Sequence, residues 1–301
     1  MKRILSFFAA AVLSLSLTGC TAYTPPAQVA ATTLPVYEFT CRILEGTTIS
    51  ATRLVTENVS CLHDYSLNVA QVKAIEAADV VVISGAGLEE FMEDVLADKP
   101  AIDASESIHL IEPEEHHHDH EHEHEHEEES HEGHHHEEDP HIWLSPENAK
   151  VMAQNICDGL SEQYPQHAET FEENLEVLIA DLDALYVYGQ RALEELSCRD
   201  LITFHDGFAY LADCYDLHII RAVEEESGSE ASAAELIELI EEVEHHALPA
   251  IFTETNGSVS AADIIARETG AAVYTLDMAM AGDSWFDAMY RNIDTIKEAL
   301  G

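Results

Sequence analysis

Basic residues are scarce in this chain of 301 residues: 13 Lys and Arg stand against 59 Asp and Glu, a formal charge of −46. A surface so acidic repels nucleic acid and anionic lipid headgroups and gathers cations, so no nucleic-acid partner is expected. Cysteine is sparse as well, at six residues with no CxxC pair, which argues against a zinc site built from paired thiolates. Long apolar runs are missing except for "ILSFFAAAVLSLSL" near the N-terminus, and that stretch is too short and too early for a membrane span. What remains is a chain with 46% hydrophobic residues, enough for a proper core and long enough for two ordinary domains or one large one.

Lys2 and Arg3 precede the apolar stretch, the pattern of a secretory signal. It closes in "LTGC", which resembles a bacterial lipobox. The resemblance implies that residues 1–20 are signal and lipobox, with Cys20 left as the lipid-bearing first residue and residues 21–30 as a tether from the membrane. Five cysteines remain: Cys41, Cys61, Cys157, Cys198 and Cys214. Cys198 precedes an apolar strand and Cys214 lies late in the helix that follows. A strand and its returning helix bring such ends together, so a Cys198–Cys214 bridge is expected in an exported protein.

From residue 31 onward, short apolar runs alternate with helical patterns. "TISATRLV", "DVVVIS", "AIDAS" and "SIHLI" are expected strands, with helices at "NVAQVKAIEAA" and "GLEEFMEDVLA" between them. A helix opens at "SPENAK", with Ser145 as cap and Pro146 in its first position. After Pro165, helical periodicity runs for about thirty residues, long for a globular helix. Strands "LITF", "LHIIRAV", "AIFTE" and "AAVYTL" then alternate with four helices. The expectation is an α/β protein of two doubly wound lobes with mostly parallel sheets, joined by one long rigid helix. Its parts are an N-terminal lobe at 31–165, a linking helix at 166–197 and a C-terminal lobe at 198–301.

In such sheets ligands sit beyond the carboxyl ends of the strands. His63 follows the first strand after a loop, His205 ends "LITF", Glu254 ends "AIFTE", Asp277 ends "AAVYTL", and His141 lies in the loop before Ser145. Singly each is weak. Together, three imidazoles and two carboxylates on both lobes could converge on one cleft, and three nitrogens with one oxygen suit tetrahedral zinc. Asp206 is either solvent-facing or a support for a ligand.

"HDYSL" at His63, "ADVVVISGAGLEEFM", "DPHIWLSPENAK" at His141, "TFHDGFAYLADCY" at His205 and "TLD" at Asp277 occur in that order. This set resembles the substrate-binding lipoproteins of ABC-type zinc-uptake systems, within the solute-binding superfamily, over nearly the whole mature chain. The resemblance implies two α/β lobes joined by a fairly rigid helix, and a captured Zn(II) ion handed to an ABC permease without chemistry. It also implies a monomer, extracytoplasmic and lipid-anchored to the bacterial cell membrane. By the same resemblance His63, His141 and His205 are metal ligands. Manganese- or iron-carrying relatives have a glutamate where His205 stands, so the histidine points to zinc. Some zinc members place a glutamate just before the first histidine; here Leu62 occupies that position, leaving Asp277, Glu254 or water as the fourth ligand.

Residues 112–139 hold a crowd of carboxylates and eleven histidines: His116, His117, His118, His120, His122, His124, His126, His131, His134, His135 and His136. The spacing H-E-x-x-H occurs three times, from His120, His122 and His131, but a metalloprotease needs it on a packed amphipathic helix. There is no apolar face here, and Gly133 lies inside the last match. The run is expected to be a disordered loop that collects zinc weakly. Ordering even five of its residues costs roughly 5–10 kcal/mol, a cost a preformed cleft avoids, so the tight site belongs to the cleft. Three rival roles are a surface zinc reservoir tied to no transporter, a zinc hydrolase with Glu254 as its base, and the same transport role with manganese as cargo.

Overall fold

The apolar strings of the chain are too short for helices, and those at 29–31, 201–205 and 250–254 are buried on both faces, which suits central strands of parallel sheets covered by helices. The computed structural model describes residues 26–111 and 138–301, apart from 58, 60, 61, 63, 64, 225–231 and 256–258. In the first lobe β1 (Val29–Ala31), α1 (Leu34–Ile43), β2 (Ala51–Arg53), α2 (Val69–Ala77) and β3 (Val80–Ile83) are followed by a 3-10 turn, the short α3 (Glu93–Leu96) and β4 (Ala101–Asp103). Its four strands pair in the order β2-β1-β3-β4, all parallel. After α4 (Pro146–Gln163) and α5 (Ala168–Ala192), the second lobe repeats the plan. It comprises β5 (Asp200–His205), α6 (Ala209–Cys214), β6 (His218–Glu224), α7 (Ala233–His245), β7 (Ala250–Glu254), α8 (Ser260–Thr269), β8 (Ala272–Leu276) and α9 (Trp285–Leu300). Its strands pair in the order β6-β5-β7-β8, again all parallel.

Helix starts follow side-chain capping. Asn68 and Gln71 exchange hydrogen bonds in a capping box at α2, Ser232 and Glu235 do the same at α7, and Ser145 accepts from the Asn148 N–H at α4. The long helix α5 runs for 25 residues rather than about thirty. Phe171, Leu175, Leu178, Leu182 and Leu185 make its buried stripe at alternating spacings of four and three, with Gly189 one step further. It packs along α1 and α4 of the first lobe and α9 of the second. Gly189 is required there: a Cβ at that position would lie 2.4 Å from the Tyr215 ring.

Four local expectations are corrected. The tether does not reach residue 30, because Val29 and Ala30 belong to β1 at the heart of the first sheet and are fully buried. "SIHLI" forms no strand: β4 is the sheet edge, and the backbone after it is held by side chains instead. Asn155 donates to the Ala104 and Glu106 carbonyls, and the Tyr210 hydroxyl accepts from the Ile111 N–H. "GLEEFMEDVLA" begins as a turn, since Gly85, Ala86 and Gly87 take positive φ and the Glu89 carboxylate binds the Ser84 and Gly85 N–H groups. The Cys198–Cys214 bridge is not formed, and both thiols are free. The six residues of α6 climb only about 9 Å, while the six of β5 span about 20 Å. The helix therefore stops well short of the strand's beginning, and Cys214 pairs with Ser145 instead, its thiol pushed up to about 11 by burial.

Candidate metal centre

His205 is the last residue of β5, a strand flanked by β6 and β7, and it emerges at the carboxyl end of the sheet only 2% exposed. His141 comes from the other lobe, at the head of the short 3-10 turn Ile142–Leu144, and is 3% exposed. That turn is bolted down by Trp143, whose indole N–H donates to the Met278 carbonyl at 2.7 Å, while Trp285 donates to the Trp143 carbonyl at 3.2 Å. Pro140 before it and the buried "IWL" after it leave the backbone little freedom.

One carboxylate sets the imidazole. Asp139 Oδ1 accepts from both the backbone N–H and Nδ1 of His141, each at 2.8 Å. With its proton held at Nδ1, His141 presents Nε2 as a lone pair. That Nε2 lies 3.4 Å from Nε2 of His205, the two rings standing at 88° with centroids 5.2 Å apart. Two ligands at 2.0–2.1 Å from a tetrahedral zinc ion are separated by about 3.4 Å. The two nitrogens thus already sit one tetrahedron edge apart. Gly207 makes room for the pair: a Cβ there would lie 2.7 Å from Met278 Cε, 2.8 Å from His205 Cδ2 and 3.0 Å from His141 Cε1.

His63 lies outside the described residues. Of the described residues next to it in sequence, Leu62 is fully buried in the first lobe's core and accepts from the Tyr65 N–H through its carbonyl. Asp277 stands directly after β8 with its carboxylate engaged. Oδ1 accepts from the Ala279 N–H at 2.8 Å and Oδ2 from Arg291 at 3.1 Å, while Asn292 clasps its backbone from both sides. Its neighbour Met278 is the residue that reaches the histidine pair. Glu254 ends β7 and is buried, whereas Asp206 is exposed. The structure therefore brings His141 and His205 together. Among the described residues no group of three or more His, Cys, Asp or Glu side chains stands ready to hold a metal ion.

Asp139 was hidden by its setting, one carboxylate at the end of an acidic run. A signal for it existed in the Asp-x-His spacing, which lets a carboxylate fold back on the residue two positions on. Tyr210 is a second such residue. Its hydroxyl donates to the Asp139 carbonyl at 2.9 Å and accepts from Ile111 N–H at 3.0 Å, and the Asp139 N–H donates to the Ile111 carbonyl at 3.0 Å. Burial pushes that phenol up to about 12, so it stays neutral at physiological pH. The two stems of the histidine-rich run are thereby clasped beside His141. The eleven histidines of the run itself, and Cys20, lie outside the described residues.

Residues 29–299 match the model of a family described as "Zinc-uptake complex component A periplasmic". The chain belongs to this family. It is 30% identical to the zinc-binding lipoprotein AdcA of Streptococcus pneumoniae serotype 4 over 314 residues, covering 99% of this chain and 61% of that protein. The chain thus spans about three-fifths of the length of that relative. A crystal structure of ZnuA superposes with a TM-score of 0.77 at 30% identity, over 91% of this chain and all of the other. The solute-binding protein FpvC of Pseudomonas aeruginosa, solved with a nickel ion, shares the fold with a TM-score of 0.74 at 23% identity, over 91% of this chain and 96% of that one.

Proposed function

We propose that this family member is an extracytoplasmic carrier that captures Zn(II) between its lobes and delivers it to an ABC permease, performing no chemistry on its cargo. The observation that supports this reading best is the His141–His205 pair: two buried imidazoles from different lobes, their Nε2 atoms 3.4 Å apart. His63 is proposed as the third nitrogen, with Asp277 or a water completing the tetrahedron. Each Asp277 oxygen accepts a single hydrogen bond, from Ala279 or Arg291, and keeps a second lone pair for the ion. Three nitrogens rather than a carboxylate-rich shell favour zinc over manganese. The histidine-rich run is proposed as a weak collector whose clasped stems open beside the tight site, and Cys20 as the point of lipid attachment. Among the described residues no helix is long and apolar enough to cross a membrane.

Competition against a zinc chelator tests the reading. The mature protein is expected to hold one ion tightly, and His205→Ala is expected to lose it. Single His→Ala changes within residues 116–136 are expected to leave that ion in place. Equal losses from both kinds of variant would refute the cleft as the tight site.

A further inference from the structure

His141 and His205 belong to different lobes, yet a short circuit of residues joins them. Five positions after His205 comes Tyr210, in the first turn of α6 and 3% exposed. Between the two, Gly207 passes too close to both imidazoles for a Cβ to fit, and buried Phe208 accepts from the Ala212 N–H through its carbonyl. The Tyr210 hydroxyl then crosses to the first lobe. It donates to the Asp139 carbonyl at 2.9 Å and accepts from the Ile111 N–H at 3.0 Å. From Asp139 the circuit closes on His141, whose N–H and Nδ1 both meet Oδ1 at 2.8 Å.

The Asp139 side chain has no second hold. Its Oδ2 is buried with no hydrogen-bond partner among the described residues, so the carboxylate takes its place from the backbone of residue 139. That backbone is held at two points: the N–H by the Ile111 carbonyl and the carbonyl by Tyr210. The carbonyl belongs to the peptide joining Asp139 to Pro140, and proline fixes its own φ. With the peptide plane held by a hydroxyl and the next φ held by a ring, the chain enters His141 with little freedom.

We infer that Tyr210 is a positioning residue for the metal pair: through Asp139 it keeps the His141 proton on Nδ1 and its Nε2 one tetrahedron edge from His205 before any ion arrives. This rests on the reading of the cleft as the zinc site. Ligands arranged in advance have little ordering left to do on binding, and apparent affinity falls with the fraction of molecules in which they are so arranged. A phenylalanine at 210 keeps the ring in the core and removes both of its hydrogen bonds. The Asp139 N–H to Ile111 bond stays, so the stems remain adjacent and the loss falls on the Asp139–Pro140 peptide.

Zinc affinity of the mature protein, by chelator competition, is expected to fall about fivefold in Tyr210→Phe, the worth of one net hydrogen bond. Histidine 15N NMR of the metal-free protein at about pH 8 reads the tautomer directly, with the His141 signal assigned from its absence in His141→Ala. The parent should show the Nδ1–H form alone and Tyr210→Phe a mixture of both forms. Because the hydroxyl acts through the carboxylate, adding Tyr210→Phe to Asp139→Ala should weaken zinc binding by no more than about twofold further. A lower urea midpoint with tautomer and affinity unchanged would make Tyr210 a core residue only and overturn the inference. Losses that multiply in the double variant would overturn it too. Should the parent hold no tight zinc, the cleft reading fails, while the tautomer of the metal-free chain still decides the role of Tyr210.

Discussion

Replacing Asp139 by alanine removes the acceptor that holds both the backbone and Nδ1 of His141. Zinc affinity in Asp139→Ala is expected to fall 10–100-fold, the usual effect of losing a partner behind a metal ligand. Unchanged affinity by chelator competition would dismiss the orienting role. Glu89 poses a different question at this scale. Its Oε1 accepts from the Thr32 hydroxyl and the Ser84 N–H, and Oε2 from the Gly85 N–H, yet burial pushes it up to about 7, with Asp103 adding to the shift. The folded state therefore keeps a proton that the unfolded chain gives up above pH 4.5. This residue's contribution is complete below that value and is lost as pH rises through about 7, an amount of about 3 kcal/mol. Urea unfolding should show a pH 5 to pH 8 decline that is smaller by about 2.5 kcal/mol in Glu89→Gln, the rest having been lost already by pH 5; an identical decline would mean the carboxyl is ionised in the fold. The histidines that meet were legible because each ends a strand or enters a helix within a motif. The hold of Arg291 on Asp277 was not, since nothing in the string tells which exposed cation turns toward which carboxylate.

Among the elements, α5 bears the most weight, and Leu182 sits fully buried in the middle of its stripe. Leu182→Ala is expected to cost 2–5 kcal/mol, the range for truncating a packed leucine, read as a lower urea midpoint with an unchanged slope. A cost under about 1 kcal/mol would show that the helix packs more loosely than its burial indicates. Most helices and strands were legible in the sequence because periodicity and caps agree at Asn68, Ser145 and Ser232; α1 was not, since Thr33 before it makes no side-chain cap. The failures share a cause. Strand β1 is only three residues long and follows a proline pair, so its burial comes from neighbours on both sides rather than from its own pattern. Residues 107–111 carry alternating apolar residues, yet among the described residues β4 is an edge strand, and side chains from α4 and α6 hold the backbone after it. A Cys198–Cys214 bridge needs a full return helix, and the six residues of α6 are too few to make that return.

Across the molecule, the lobes are tied by more than α5. Leu34 N–H donates to the Met280 carbonyl, Arg53 to the Gly282 carbonyl, and Glu38 on α1 accepts from Ser284 and Trp285 at the start of α9. With Trp143 fixed to Met278 as well, loading and release of an ion should need small sliding movements rather than a wide hinge. Small-angle scattering curves with and without zinc are expected to superimpose, and a clear contraction on loading would argue for hinge closure. Deleting residues 114–138 is expected to leave the tight ion and remove the weak ones. The two-lobed plan was legible from strand–helix alternation; the interlobe hydrogen bonds were not, because backbone carbonyls such as those of Met278 and Gly282 leave no trace in composition. The Tyr210 clasp has one further consequence. Since it closes the stems of the run independently of what lies between them, doubling the length of that insert should add only about 0.6 kcal/mol of closure entropy. The position is a natural port, where foreign peptides of widely differing size can be exchanged without disturbing the pair of imidazoles next door.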